Sequence, residues 1–392
     1  MHASKTILTT AIALLLAASL HAEEESMPGP IIPAMKKSPA AATAPRTIEL
    51  AVCLDVSGSM RGLVDSARTR IWSIVNDLAL AKPTPRLRVA LLSFGHDTYS
   101  KEKGWVRIES DLTEDLDLIS QKLFALTLNG GTELVGRVMQ SGLDELSWGN
   151  DANALRIMVV AGNESADQDK LVNFRDVAKR CIERGIMVNS IYCGNPNDKI
   201  APGWKEVALR ADGHFAAIDQ SRGAIAIATP FDAQIAELST ALNATYVPFG
   251  ADGRRGFANQ RVQDSLASSL NGAASSGRAM SKSSKLYRCS WCLVDAVRTK
   301  QIDLTKVKQE DLPKELQGKK PEEIKAALDK KYEQRRNIQV QVGKINAERS
   351  VWVAKELAKQ GKTMDQAFDA AIRKAIRSQA AKKGYAFPKE TK

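Results

Sequence analysis

Three oxygen-bearing side chains alternate in a tight turn near residue 55. Asp55, Ser57 and Ser59 stand two residues apart, and Gly58 lies between the two serines. A carboxylate and two hydroxyls at this spacing can put three oxygens on one side of a loop, and hard divalent cations such as Mg²⁺ bind oxygen ligands of this kind. We therefore predict a cation site here, with Gly58 shaping the loop.

A second loop with related chemistry follows about 75 residues later in the chain. It contains Gly130, Gly131 and Thr132. The two glycines allow the backbone to approach a neighbouring group closely, and Thr132 offers another hydroxyl oxygen. If the fold brings this loop beside Asp55, Thr132 can bind the same cation.

The pattern of apolar segments indicates a fold that could bring the two loops together. Four largely apolar runs of strand length stand at residues 48–54, 86–94, 155–161 and 186–193, and helical segments separate them. Strands that are apolar on both faces and alternate with helices predict a doubly wound, mainly parallel α/β sheet. Such sheets bind ligands beyond the carboxyl ends of their strands, which is where Asp55 stands.

Shorter elements are predicted around these strands. Thr113 is expected to cap a helix whose first turn is acidic. The other predicted elements are an edge strand at 104–109, a strand at 214–218, and helices at 62–80, 134–146, 170–184, 204–210 and 230–242.

The turn Asp55-x-Ser57-x-Ser59, followed by Gly-Gly-Thr at 130–132, resembles the von Willebrand factor type A (VWA) domain and its metal-ion-dependent adhesion site. The resemblance covers about residues 46–245 and implies a Rossmann-like fold. It also implies Mg²⁺, or Mn²⁺ or Ca²⁺, as the ion, and an acid from a partner that completes its coordination. The ligands that it implies are the hydroxyls of Ser57, Ser59 and Thr132, with the Asp55 carboxylate at or just behind the ion.

The chain departs from the family pattern at one position. The family usually carries an Asp at the end of the fourth strand, in a Thr-Asp-Gly sequence, whereas Ala161 stands there in this chain. Ala161 offers no oxygen, so the affinity for a cation should fall unless another side chain replaces the acid. Asn163, Glu164 and Asp167 are the candidates for that replacement.

The same turn is a poor match to the catalytic sites that begin in a similar way. Phosphoaspartyl hydrolases need a second acid two residues after the first, and Ser57 stands at that position. A serine hydrolase would need a histidine base, and the domain contains only His96 and His214. His96 is expected to be a surface-loop residue. We therefore predict that the protein is not an enzyme.

The first 45 residues are predicted to direct export. Residues 1–22 combine a short basic start, an apolar run of about 14 residues and small residues at the end, which is typical of a secretory signal peptide. The run is shorter than the ~20 residues of a membrane span, although an uncleaved anchor stays open. Residues 23–45 contain five prolines and predict a flexible linker. We expect a periplasmic or secreted bacterial protein with no transmembrane span after signal cleavage.

The positive charge of the chain is concentrated at its C-terminal end. Residues 281–392 contain 27 Lys or Arg against 14 Asp or Glu, whereas the whole chain contains 56 against 45. This excess could bind an anionic envelope surface, but the interspersed acids favour a solvated helical surface. The lack of regularly spaced aromatics and the predicted export argue against nucleic acid as a partner.

Residues 246–392 are predicted to be basic and mostly helical. Pro321 should begin one helix, and residues 363–366 form a capping box for another. A stretch rich in Gly, Ala and Ser at 250–277 is expected to contain only weak helix around 260–270.

The chain contains five cysteines, an odd number that fits no complete disulfide framework. Cys289 and Cys292 are the one closely spaced pair. Inert thiols, a local disulfide and a redox function all stay open for these two residues.

Taken together, the sequence predicts an exported binding protein. A divalent cation at the strand-end face would capture a protein or another acidic ligand. The alternative is a metal-free structural scaffold of the cell envelope, in which the basic helical tail makes the interface.

Overall fold

The computed structural model describes residues 46–218, 227–360 and 368–388, without the side chains of residues 368 and 369. The described residues belong to one compact unit. The predicted signal peptide and linker, and the predicted capping box at 363–366, lie outside the described residues. Within the described ranges, no helix combines the length and the apolar character needed to cross a bilayer.

The strands of the N-terminal half are β1 (Thr47–Asp55), β2 (Arg86–Phe94), β3 (Val106–Thr113), β4 (Leu155–Gly162), β5 (Ile186–Tyr192) and β6 (Phe215–Ala217). They form a sheet in the order β3-β2-β1-β4-β5-β6. β3 pairs antiparallel with β2 at one edge, and the other neighbouring pairs are parallel. The predicted doubly wound, mainly parallel sheet is confirmed.

Helices cover both faces of the sheet: α1 (Arg61–Ala79), α2 (Leu116–Ala125), α3 (Val135–Asp144), α4 (Phe174–Glu183) and α5 (Ala201–Leu209). Successive side chains of β1 belong to two different apolar layers, because residues of a strand alternate between its faces. Val52 and Leu54 pack with α1 and α2, whereas Ala51 and Cys53 pack with α3, α4 and α5. Burial of β1 and β4 on both faces explains their nearly unbroken apolar sequences.

The boundary between β3 and α2 differs from the prediction. Thr113 ends the strand and does not cap the helix, because its pairing with Val89 keeps it in the sheet. Asp115 is the N-cap instead, and its carboxylate accepts hydrogen bonds from the backbone N–H groups of Asp117 and Leu118. The loop between the strand and the helix is therefore only two residues long.

The C-terminal half is helical, with α6 (Asp232–Asn243), α7 (Gly250–Leu270), α8 (Gly272–Ser283), α9 (Leu293–Arg298), α10 (Pro321–Lys359) and α11 (Phe368–Lys382). Pro321 begins α10, as predicted. α11 returns to the sheet and packs Ile372 and Ile376 into the same apolar layer as α1. The far end of the chain therefore contributes to the core of the sheet.

The stretch that is rich in Gly, Ala and Ser forms helix over almost its whole length, whereas the sequence predicts only a weak helical segment. Its small residues allow close contacts with large aromatic ones. A Cβ atom on Gly256 would lie 2.4 Å from Trp291 Cδ1, and one on Gly277 would lie 3.1 Å from Trp72 Cβ. Tertiary packing therefore outweighs the low helix propensity of these residues.

All five cysteines are buried free thiols. The Cys292 sulfur accepts hydrogen bonds from the backbone N–H of Val247 at 3.4 Å and from Arg335 Nη2 at 3.3 Å. Burial raises the pKa of both Cys289 and Cys292, which favours the neutral thiol. This arrangement fits inert thiols best among the three roles that the sequence leaves open.

Candidate metal centre

The two predicted oxygen-bearing loops lie side by side at the carboxyl edge of the sheet. The backbone N–H of Gly58 donates to the carbonyl of Gly130 at 3.2 Å, and the N–H of Asn129 donates to the carbonyl of Val56 at 3.1 Å. These two hydrogen bonds join the loop after β1 to the loop after α2. The sequence therefore predicts the meeting of these loops correctly, although they are about 75 residues apart in the chain.

The three glycines of these loops differ in how much their positions require glycine. Gly130 has a φ of +92°, and a Cβ there would lie 2.5 Å from the carbonyl oxygen of Gly95. A Cβ on Gly58 would make only an ordinary contact, and one on Gly131 would meet open space. A steric requirement for glycine is therefore evident at Gly130 alone among the three.

Asp55 lies fully buried at the end of β1. Its Oδ1 accepts a hydrogen bond from the backbone N–H of Ser57 at 2.8 Å. Its Oδ2 accepts none from any described residue. Because an unpaired buried oxygen is costly, Oδ2 is a candidate ligand for a cation.

The Ser57 and Ser59 hydroxyl groups lie beside this carboxylate. Ser57 is buried and Ser59 is exposed, and their Oγ atoms are 3.2 Å apart. Thr132 is half-buried on the adjoining loop, next to Gly131. The two serine hydroxyls therefore extend from the buried carboxylate outward to solvent.

Glu133 belongs to the same cluster, although the sequence pattern does not predict it as a site residue. Its side chain is 3% exposed, and its Oε2 accepts no hydrogen bond within the described ranges. A Cβ on Gly95 would lie 2.9 Å from Glu133 Cγ and 3.0 Å from Asp55 Oδ1, so both carboxylates line the space below Gly95. The position of Glu133 directly after Thr132 is the one sequence feature that could have indicated it.

Burial disfavours the ionised form of both carboxylates, and nearby negative charge adds to the effect. Burial raises the pKa of Asp55 to about 7, and the nearby charge of Glu133 adds to this rise. Burial also raises the pKa of Glu133, partly offset by a hydrogen bond from Ser57, and the charge of Glu164 contributes to the rise. Negative charge gathered away from water in this way favours a bound cation.

Asn163 and Glu164 both lie at this cluster. The Asn163 side-chain amide donates to Ser59 Oγ at 3.1 Å, and its Oδ1 is buried without a hydrogen-bond partner among the described residues. Glu164 is exposed, and its carboxylate accepts a hydrogen bond from Gln168 at 3.2 Å. Asn163 therefore adds a free oxygen, and Glu164 lies at the rim.

Asp167 is occupied elsewhere. Its Oδ1 lies 2.6 Å from Nη1 of Arg175, which also pairs with Glu206 at 2.6 Å. Among the three predicted replacements for the missing acid, Asp167 is the one that already forms an ion pair with an arginine side chain.

The residue of β4 that faces Asp55 is Gly162. Ala161, predicted to stand in place of the usual acid, belongs to the apolar layer of Leu54, its partner in the sheet. A Cβ on Gly162 would lie 3.1 Å from Asp55 Oδ2 and 3.1 Å from Cη2 of Trp204. The end of β4 therefore presents no oxygen-bearing side chain to the cluster, and the Trp204 ring closes that side.

His96 lies in different surroundings from those predicted. His96 is buried rather than on the surface: its Nδ1 accepts a hydrogen bond from the N–H of Thr98 at 3.2 Å, and its Nε2 lies 3.1 Å from Thr127 Oγ1. Both ring nitrogens are thus engaged. His214 directly precedes β6, so it lies at the opposite edge of the parallel sheet from Ser57.

The donor set fits a hard, oxygen-binding cation. Across the described part of the chain, no three His, Cys, Asp or Glu side chains are grouped closely enough to hold a metal by themselves. The cluster instead combines carboxylate, hydroxyl and amide oxygens, and those of Asp55, Glu133 and Asn163 include a buried atom without a partner. Mg²⁺ and Mn²⁺ prefer such ligands.

We expect Gly95→Ala to close this cluster to a cation. The Cβ would enter the space between Asp55 and Glu133, and Gly95 has a φ of +90°, so we also expect a loss of about 1–3 kcal/mol in the free energy of unfolding. Thermal melts with and without millimolar Mn²⁺ measure both effects. Gly131→Ala, which meets open space, is the control that should keep any Mn²⁺-dependent shift. A shift of wild-type size in Gly95→Ala would contradict the assignment.

The part of the chain that contains the two loops matches a known protein family. Residues 49–223 match the family model of the von Willebrand factor type A domain. No curated protein matches the chain.

Several solved structures are similar to parts of the chain. One is proximal thread matrix protein 1 from the mussel byssus, with a zinc-occupied MIDAS motif (11% identity, TM-score 0.34), and the match covers 44% of this chain and only 42% of the mussel protein. A second is an aerotolerance-related membrane protein from Bacteroides fragilis (18% identity, TM-score 0.31, 44% of this chain and 92% of that one). A third is a von Willebrand factor type A structure from Catenulispora acidiphila (19% identity, TM-score 0.33, 46% and 40%).

The family match spans five of the six strands completely and all but the first two residues of β1. It therefore covers both loops of the candidate metal centre. Residues 49–223 of this chain are a von Willebrand factor type A domain.

Proposed function

We propose that the VWA domain captures an acidic group of a protein or other ligand through a divalent cation. Asp55, Ser57, Ser59 and Thr132 would hold the ion, with Mg²⁺ as the first candidate and Mn²⁺ or Ca²⁺ as alternatives. The observation that carries the proposal is the fully buried Oδ2 of Asp55, which has no hydrogen-bond partner within the described residues and lies beside hydroxyl oxygens.

Electrostatics supports a cation in this role. Two buried carboxylates that face one space repel each other, and an ion of opposite charge relieves that repulsion. When bound, a divalent cation supplies a positive charge to which a carboxylate of the ligand can bind. The exposed Ser59 and Gly58 lie on the solvent side of the cluster, so a ligand can approach from there.

The site of action that we propose is outside the cytoplasm, because residues 1–22 are predicted to be a signal peptide. The partner would then be a protein or an acidic component of the cell envelope. The basic C-terminal region could add attraction to an anionic surface.

Millimolar Mg²⁺ or Mn²⁺ should raise the melting temperature of the purified protein by a few degrees, because a ligand that binds only the folded state stabilises it. Asp55→Ala should abolish this rise. Asp167→Asn is the matched control: its carboxylate is paired with Arg175, so the rise should stay. If neither ion shifts the wild-type melting temperature, the proposal fails.

A metal-free scaffold is the second candidate, and two exposed valines of α10 favour it. Val340 and Val351 are 73% and 56% exposed, and their separation of eleven residues puts them on one face of the helix. The two candidates differ in a pull-down from envelope extract. Loss of partners on EDTA treatment supports cation bridging, whereas loss on Val340→Glu with Val351→Glu, and not on EDTA treatment, supports the scaffold.

A further inference from the structure

We infer that Glu133 is the second carboxylate ligand of the cation and replaces the acid that the end of β4 lacks. This inference rests on the proposed function, since it concerns the same ion. It differs from that proposal in assigning the acid to the loop after α2.

The Glu133 side chain is buried beside Asp55. It is 3% exposed, and its Oε2 has no hydrogen-bond partner among the described residues. Both Glu133 Cγ and Asp55 Oδ1 lie within about 3 Å of the position that a Cβ on Gly95 would take. The side chains of two buried acids therefore border one small space, and each acid has one carboxylate oxygen without a partner among the described residues.

The end of β4 has little room for a side chain at Gly162, the residue that faces Asp55. A Cβ on Gly162 would already lie 3.1 Å from the Trp204 ring, which is tighter than most Cβ contacts. Trp204 is fixed in this position, because it is buried and its Nε1–H donates to the Glu164 carbonyl at 2.7 Å. Trp204 thus blocks one side of the Asp55 carboxylate, whereas Glu133 approaches past Gly95, where glycine leaves the space open.

The other acids near the cluster have partners or are solvated. Asp167 is held by Arg175 at 2.6 Å. Glu164 is exposed, so water solvates its carboxylate without a metal ion. Glu133 is buried, and its Oε2 has no partner among the described residues, so a cation would compensate the burial of that oxygen.

Mn²⁺ titration of the full chain by isothermal titration calorimetry tests the inference. Glu133→Gln keeps the shape of the side chain but removes its charge, and we expect it to weaken Mn²⁺ binding roughly 10- to 100-fold. Glu164→Gln is the matched control: it removes the same charge at the rim, and we expect a change of less than about threefold, because exposed charges are screened.

The outcomes separate this inference from the proposed function. If the wild-type chain binds Mn²⁺ and Glu133→Gln binds it with the same Kd, the inference is overturned and the cation site stands. A larger loss in Glu164→Gln than in Glu133→Gln also overturns it. If the wild-type chain binds no Mn²⁺, both proposals fail.

A melting curve without metal shows whether Glu133→Gln folds. If it does not, Glu133→Asp takes its place in the titration, because it keeps the charge and withdraws the oxygens by one methylene. We expect weakened Mn²⁺ binding in that variant too. An unchanged Kd in Glu133→Asp would overturn the inference.

Discussion

Replacing Arg278 with methionine should lower the free energy of unfolding by about 3–5 kcal/mol. Arg278 is a buried residue of α8. Its guanidinium pairs with Asp117 of α2 at 2.5 Å and with Asp264 of α7 at 2.8 Å. Lys282 lies 2.6 Å from Asp264, so the cluster contains two cations and two carboxylates.

The physical reason for this large effect is the charge that the substitution would leave behind. Methionine would leave Lys282 beside Asp264 and would leave the buried Asp117 carboxylate without its guanidinium partner, and a buried charge without such a partner is far more costly than a missing surface ion pair. The substitution would also remove the contact of the guanidinium with the Trp72 ring, whose centroid lies 4.8 Å away.

Urea denaturation of the wild-type chain and of Arg278→Met measures the difference. Arg255→Met on α7 is the control, because Arg255 pairs with Asp252 in an exposed position and its loss should leave stability unchanged. A loss of less than about 1 kcal/mol in Arg278→Met would contradict the importance that we assign to the buried cluster.

Gly213→Ala should destabilise the protein by at least about 3 kcal/mol. Gly213 lies in the turn between α5 and β6, where a Cβ would come within 1.8 Å of the carbonyl oxygen of Val188 on β5. The backbone cannot yield easily there, because the N–H of Val188 donates to the carbonyl of Ala211 and the N–H of Ser190 to that of His214. The turn and β5 would have to separate.

Gly343→Ala is the same substitution at another position, and we expect it to raise the stability of the protein instead of lowering it. Gly343 lies in the middle of α10, and a Cβ there would meet nothing within 4 Å. Alanine should therefore stabilise the protein by about 0.5–1 kcal/mol, because glycine is the poorer helix former. Urea denaturation of both variants is the measurement. Equal effects of the two substitutions would show that the close contact at Gly213 is not the cause.

The sheet could be predicted from the sequence because its central strands are buried on both faces. A short and almost unbroken apolar run such as residues 155–161 indicates a strand that is buried on both faces. The helices between such runs indicate parallel pairing of the strands. The carboxyl ends of β1 and β4 then lie at one edge, and the loop of Asp55 follows from that placement.

The acids of the site could be predicted only in part. Asn163 and Glu164 lie at the cluster because both follow the end of β4, and their role as replacements for the missing acid stays a prediction. Glu133 could not be singled out, since an acid just before a helix also suits the helix dipole. The proposed role of Glu133 depends on Gly95, which has a positive φ and lies on another loop, and on the Trp204 ring. The sequence alone does not show that these residues lie close together.

The C-terminal helices could not be derived in detail for a similar reason. The stretch at 250–277 has weak intrinsic preference for helix, and its helices exist because small residues fit against Trp72 and Trp291. Such contacts join residues that are far apart in the chain, so local patterns do not reveal them.

The helices that flank the candidate metal centre are both held by the C-terminal half of the chain. α1 begins two residues after Ser59, and α2 ends four residues before Asn129. α8 packs on α1 and reaches α2 through Arg278, while α11 packs on α1. The two loops are thus pre-organised before a ligand binds. They therefore lose little conformational entropy on binding. Mutations in α8 or α11, more than a hundred residues away in sequence, should therefore change the affinity of the candidate metal centre for its ligand, although they alter none of its residues.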